Sequence, residues 1–346
     1  MMGQYIHDST VINKMYNCHY INLATAADML DIGKIGLKKI KKFAYLLLNI
    51  RSLIKALRPD LIYVTPNACG GAFYKDFIVV QMLKTMGCKV VAHYHNKGVS
   101  TRQDRLIDNV LYRQFFRNLK LILVSERLYG DIKKYVDKED VFICPNGLPN
   151  EETHSMPATC IVNSLTQLLF LSNMMKAKGV YDLLEACLIL KNKNLSFQCH
   201  FVGKWADITE QEFAQILADK DLTETVFAHG PKYGKEKESF FRQADVFVFP
   251  TYYGNEIFGL VNLEAMQYAL PVISTNEGAI PDIIDDGITG YIVAKRNPLM
   301  LADRIEVLLD KPTLRKEMGQ AGKKKFEEQY SFDIFEKRMC EILNSI

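Results

Sequence analysis

Two carboxylates frame the run Glu256-Ile-Phe-Gly-Leu-Val-Asn-Leu-Glu264, which follows the apolar stretch Val246-Phe-Val-Phe-Pro250 and leads into a helical pattern toward Tyr268. Glu256 falls in the loop Tyr253-Gly-Asn-Glu-Ile-Phe-Gly259, and Glu264 about one turn inside the helix that Gly259 permits to begin. Backbone N–H groups around Phe258, Gly259 and Leu260 then belong to an unpaired first turn, where the helix dipole favours an anion such as a diphosphate. Carboxylates for hydroxyls beside amides for phosphates point to a nucleotide-sugar ligand.

Other residues at strand ends fit the same chemistry. Lys178 stands before Gly179 in Leu171-Ser-Asn-Met-Met-Lys-Ala-Lys-Gly-Val180, beyond an apolar strand, at the crevice where open α/β sheets hold ligands. Lys176 offers a second ammonium there; for both, the bland reading is a solvated surface lysine. Gly278, in Thr275-Asn-Glu-Gly-Ala-Ile-Pro-Asp282, would let backbone approach a ligand closely. In the first half, Val90-Val-Ala-His-Tyr-His-Asn-Lys-Gly-Val99 carries a strand into His93 and His95. No third ligand at metal spacing accompanies them, so no bound metal is expected.

The elements that position these residues are short Val/Ile/Leu/Phe-rich runs alternating with helical stretches, the pattern of right-handed βαβ units and parallel sheets. Strands are predicted at 61–65, 89–93, 121–125 and 141–144, then at 168–172, 197–202, 226–228, 246–249, 271–274 and 291–293. The tract Pro145-Asn-Gly-Leu-Pro-Asn-Glu-Glu-Thr-His-Ser-Met-Pro157 reads as a linker around 150–160, and a mostly helical segment follows Pro312. Two doubly wound α/β domains, 1–152 and 153–331, are expected, with a helix at about 332–346 packing back on the first.

With 346 residues, 48% hydrophobic and 24% charged, the chain suits two soluble domains. Eight cysteines without a C-x-x-C pair favour reduced thiols in a cytosolic compartment over disulfides or zinc. Residues 1–150 carry 22 Lys and Arg against 12 Asp and Glu, whereas 151–346 carry 21 against 28. Between Gly33 and Pro59 eight basic residues (Lys34, Lys38, Lys39, Lys41, Lys42, Arg51, Lys55, Arg58) meet no acid, while Ile40, Phe43, Leu47, Ile50, Ile54 and Leu57 recur at helical spacing. Such a helix either docks on an anionic membrane or packs on a sheet with its charges in water. Nucleic acid is not expected, because no aromatic-basic interleaving or binding motif accompanies the charge. A dinucleotide oxidoreductase is disfavoured by the absence of a Gly-x-Gly-x-x-Gly turn.

Taken in order, Lys178-Gly179, the Glu256–Glu264 pair, Glu277-Gly-Ala-Ile-Pro-Asp282 and Asp286-Gly-Ile-Thr-Gly290 resemble the retaining glycosyltransferases of family 4. That resemblance implies the GT-B fold, two Rossmann-like domains facing a central cleft, and transfer of a hexosyl group from a nucleotide diphosphate, UDP before GDP or ADP. The acceptor would be a glycan or lipid-linked chain of a surface polysaccharide, reached in the cytoplasm or peripherally at the inner membrane face, with no cofactor and no metal. It assigns Glu256 to donor sugar hydroxyls, Glu264 to the ribose, and Lys178 with the Phe258, Gly259 and Leu260 amides to the diphosphate. His95 matches the strand-end histidine that faces the donor sugar; His93 would alternate to the other side or sit deeper in the strand. Family members have Gly-Arg-Leu where this chain has Ser172-Asn173-Met174, so Asn173 occupies a donor-binding position without the charge. They also begin with a strand and glycine-rich loop, whereas Met1–Asp8 reads as helix and 18–23 as the second strand, so the first strand is expected to be missing. The alternatives are a nonenzymatic, degenerate partner that binds nucleotide-sugar, and a nucleotide-sugar epimerase of related fold.

Overall fold

The structure, a computed structural model, describes residues 2–23, 37–150 and 165–346. The chain forms two compact units, one from Met1–Pro145 with Glu336–Ile346 and the other from Asn146–Phe335. Cys160 and most of the expected linker lie outside the described residues.

The first unit holds β1 (Ile62–Val64), β2 (Val90–Tyr94), β3 (Lys120–Leu123) and β4 (Val141–Ile143) in the order β1-β2-β3-β4, each neighbouring pair parallel. Its helices are α1 (Met2–Asp8), α2 (Thr10–Met15), α3 (Leu37–Leu57), α4 (Gly70–Thr85), α5 (Leu106–Phe116) and α6 (Tyr129–Ile132). Every residue of β2 is buried, as in a strand covered on both faces. On α3 the middle of the predicted apolar stripe turns inward, with Ile50 buried, while Ile40 and Leu57 at its ends are exposed. Residues 18–23, expected as a strand, form no strand.

The second unit holds β5 (Thr166–Leu171), β6 (Phe197–Val202), β7 (Val226–Ala228), β8 (Val246–Phe249), β9 (Val272–Thr275) and β10 (Gly290–Val293) in the order β10-β9-β8-β5-β6-β7, again all parallel. Its helices are α7 (Val180–Asn192), α8 (Glu210–Asp219), α9 (Gly234–Gln243), α10 (Leu260–Gln267), α11 (Ile280–Ile283), α12 (Pro298–Asp310), α13 (Pro312–Gln329) and α14 (Phe332–Ser345), the last continuing into the first unit. Thr209 caps α8 by accepting from Glu212 N–H, and Asn297 caps α12 ahead of Pro298. Phe170, Phe201 and Phe249 pack across β5, β6 and β8, and each such buried ring contributes roughly 1.5–3 kcal/mol.

This strand order decides where the unit's chemistry can sit. The sheet is built outward in both directions from β5, so successive crossovers diverge between β5 and β8. At that switch point the loops leaving the two strands separate and leave a crevice at their carboxyl ends.

Candidate active site

The loop after β5 and the loop after β8 meet through one ion pair. Lys178 Nζ donates to Glu256 Oε2 at 2.6 Å, with both side chains only 14% exposed. The same ammonium lies 4.7 Å from the Tyr253 ring centroid and 5.5 Å from that of Phe249. Aromatic faces and a carboxylate therefore hold a cation at the sheet's switch point, in surroundings where its charge is screened less than in water.

Backbone packing fixes this meeting. Gly179, at φ +84°, closes against β8: a Cβ there would stand 2.3 Å from the Pro250 carbonyl oxygen, so only glycine lets Lys178 come so near the strand. The Tyr252 N–H also donates to Ala177 O at 2.8 Å. Gly278 closes the other side. Its added Cβ would lie 2.5 Å from the Glu256 carbonyl and 2.6 Å from that of Ile257, so its close approach within the chain is to the glutamate loop. Ala279 N–H donates to Ile257 O at 2.8 Å and completes that buttress.

α10 begins at Gly259 in the left-handed conformation with no side-chain cap. Among the described residues no backbone oxygen accepts the Phe258, Gly259 or Leu260 N–H, so these donors and the helix dipole are available at the crevice. Asn262, fully buried in the first turn, pairs neither side-chain polar atom. Glu264 Oε1 accepts from Lys237 Nζ of α9 at 3.0 Å, which orients its carboxylate.

The remaining candidates separate clearly. Asn173 is exposed, and its backbone oxygen accepts from Met175 N–H. Lys176 lies 3.9 Å from Glu212 and 5.5 Å from the Tyr181 ring, away from the Glu256 pair. Asp286 accepts from Ile292 N–H and shapes the turn into β10. Glu277 is tied to Lys295 at 2.6 Å. Among the described residues no group of three or more His, Cys, Asp or Glu could hold a metal ion.

In the first unit His93 and His95 lie on the same side of β2, their ring centroids 4.0 Å apart. The expectation of opposite sides for His93 fails because residues two apart on a strand share a face; the deeper placement holds. His93 is fully buried and pairs Nδ1 with Tyr63 Oη at 2.8 Å, whereas His95 is half-buried. Burial, and then the neighbouring His95, push the His93 imidazole well below its usual range, so it stays neutral.

Sequence reasoning missed Lys237 and the place of the Tyr253 ring. The first is an isolated lysine in a charged helix, and nothing local marks it as the partner of Glu264. Tyr253 was visible at the edge of the glutamate loop without any sign that its ring would face the ammonium.

The chain is similar to known glycosyltransferases. The family model described as glycosyl transferases group 1 matches residues 153–325. The chain is 32% identical over 157 residues to the D-inositol 3-phosphate glycosyltransferase of Arthrobacter sp. (strain FB24), covering 45% of this chain and 37% of that protein. It is 27% identical over 179 residues to the capsular polysaccharide biosynthesis glycosyltransferase CapM of Staphylococcus aureus, covering 51% of this chain and 45% of that one. Each match thus spans less than half of the relative's length. The crystal structure of Anabaena HepE in complex with UDP superposes with a TM-score of 0.74 at 16% identity, covering 88% of this chain and 83% of that one. The shared fold is thus that of glycosyltransferases of known structure, two Rossmann-like α/β units.

Proposed function

The chain belongs to the glycosyl transferases group 1 family, and from that premise we propose a retaining hexosyltransferase of glycosyltransferase family 4. It moves a sugar from a nucleotide diphosphate to a glycan or lipid-linked acceptor in surface polysaccharide synthesis. The observation that carries this reading is the Lys178–Glu256 pair at the β5/β8 switch point, 2.6 Å apart beside the uncapped start of α10. The UDP held by Anabaena HepE favours UDP over GDP or ADP, and the name of CapM favours a polysaccharide product.

In this mechanism Glu264, steadied by Lys237, accepts from the ribose hydroxyls, and Glu256 accepts from hydroxyls of the donor sugar. Lys178 and the Phe258, Gly259 and Leu260 amides hold the diphosphate. As the bond between the sugar and the diphosphate breaks, negative charge grows on the departing phosphate. Donors already aimed there stabilise that charge without the reorganisation water would need. Before donor arrives, the Lys178 ammonium is held by Glu256, so binding shares one cation between the carboxylate and the diphosphate. His95 on the first unit is the further candidate for contact with substrate.

A panel of nucleotide-sugars read by thermal shift and product formation tests the proposal. At least one UDP-sugar should raise the melting temperature, by the linkage RT ln(1 + [L]/Kd), and be turned over with the anomeric configuration kept in the product's proton spectrum. Inversion would refute the retaining assignment. Binding without turnover would assign the chain to the nonenzymatic alternative, for which the uncharged Asn173 is the motivating residue.

A further inference from the structure

Three exposed aliphatic side chains of the first unit stand together at the start of α5. Leu106 is 85% exposed, Ile107 72% and Val110 56%. This turn is firmly held. Asp108, 2% exposed, accepts from Tyr74 Oη at 2.6 Å and from Arg102 Nε at 2.7 Å, and Arg102 Nη2 donates to Tyr74 Oη at 3.2 Å. The network ties the first turn of α5 to α4 and keeps the aliphatic side chains in solvent. It also withdraws the only acid of that turn from the surface.

Arg105 precedes the patch and further arginines follow it along α5. Arg105, Arg113 and Arg117 are exposed, and the nearby exposed acid Asp104 lies 3.5 Å from Lys134. Leu106, Val110, Arg113 and Arg117 follow one another at helical spacing, so apolar and cationic groups share one face. α5 follows the loop that leaves β2 through His95, and in a parallel sheet that loop lies at the carboxyl edge of the strands.

We propose that the amino-terminal end of α5 is a membrane-docking surface. Leu106, Ile107 and Val110 enter the headgroup region of an anionic bilayer, while Arg105, Arg113 and Arg117 meet lipid phosphates. The charge balance selects this occupant over a second copy: a self-complementary contact would set these arginines against their own images, in a half of the chain with 22 Lys and Arg against 12 Asp and Glu. The proposal deepens the reading above, from which it takes only the lipid-linked acceptor; docking itself needs no donor. It also differs from the sequence reading, in which α3 is the helix that either docks on a membrane or packs on the sheet.

The test is sedimentation of the full chain with vesicles of phosphatidylcholine, with and without phosphatidylglycerol, beside calorimetry with UDP. The wild type should bind the phosphatidylglycerol vesicles and release them as salt rises. The double variant Leu106→Asp, Ile107→Asp should bind them roughly ten-fold less per side chain changed, with UDP affinity unaltered. Indifference to lipid charge overturns the proposal. So does an α5 double variant that binds like wild type while Lys41→Glu, Lys55→Glu on α3 abolishes binding. A shift from dimer to monomer in the α5 variant, without loss of vesicle binding, would assign the patch to self-association instead. Vesicle binding that the α5 variant loses, in a protein that fails to bind UDP, would sustain the surface and refute the donor reading alone.

Discussion

Lys178 serves two partners in this account, Glu256 in the free protein and the diphosphate in the complex. Lys178→Met should lower kcat/KM for sugar transfer by about 10²–10³-fold, the usual cost of one preorganised donor to a leaving group. Steady-state kinetics with a UDP-sugar would show it, and a loss under three-fold would remove Lys178 from the mechanism. Glu256, Glu264 and Lys178 were legible because their types and their places at strand ends are local properties. Lys237 was not. Its 3.0 Å contact with Glu264 depends on α9 lying beside α10, which no spacing in the chain encodes. Gly278 was legible as a tight spot, and only the fold shows that the Glu256 and Ile257 carbonyls pack against it.

At the level of elements, the β5 and β8 loops are locked together by close backbone packing as well as by the Lys178–Glu256 pair. Gly179→Ala would force a Cβ to 2.3 Å from Pro250 O at φ +84°. A left-handed alanine costs roughly 1–2 kcal/mol and overpacking about 1–3 more, so urea unfolding should show a loss of several kcal/mol. An unchanged midpoint would contradict the packing described. On β5, β6 and the turn after β7, Gln167, His200 and His229 form a chain at 2.7 and 2.9 Å. The donor order that satisfies it runs from His229 Nε2–H to His200 Nδ1, and from His200 Nε2–H to Gln167 Oε1. Protonating His200 would set two N–H groups against each other. Burial, with His229 adding to it, lowers the His200 pKa to about 4. Between the ordinary imidazole value and that one the unfolded chain takes up a proton the fold refuses, so stability falls as pH drops through this window. Urea midpoints should therefore decline less steeply over it in His200→Asn than in wild type; equal slopes would contradict the linkage. The ten strands among the described residues were legible, their ends within two residues, because each is a short apolar run between helical stretches. The order β10-β9-β8-β5-β6-β7 was not, since nothing local in a strand names its neighbour.

Across the whole molecule, the two halves divide their roles by charge and by kinship. The family match lies within 153–325, the half carrying more acids than bases, whereas the basic half holds His95 and the apolar end of α5. Composition alone exposed that asymmetry, and the proposed donor site at the switch point falls within the acidic half. Isothermal titration with UDP, run beside a transfer assay on the two glutamate variants, tests whether donor binds at the β5/β8 switch point. Glu264→Ala should weaken UDP binding by about ten-fold or more, the cost of a lost charge-assisted hydrogen bond. Glu256→Ala should bind UDP much as wild type does and yet lose sugar transfer. If both variants bind and transfer like wild type, the donor site is not at the β5/β8 switch point.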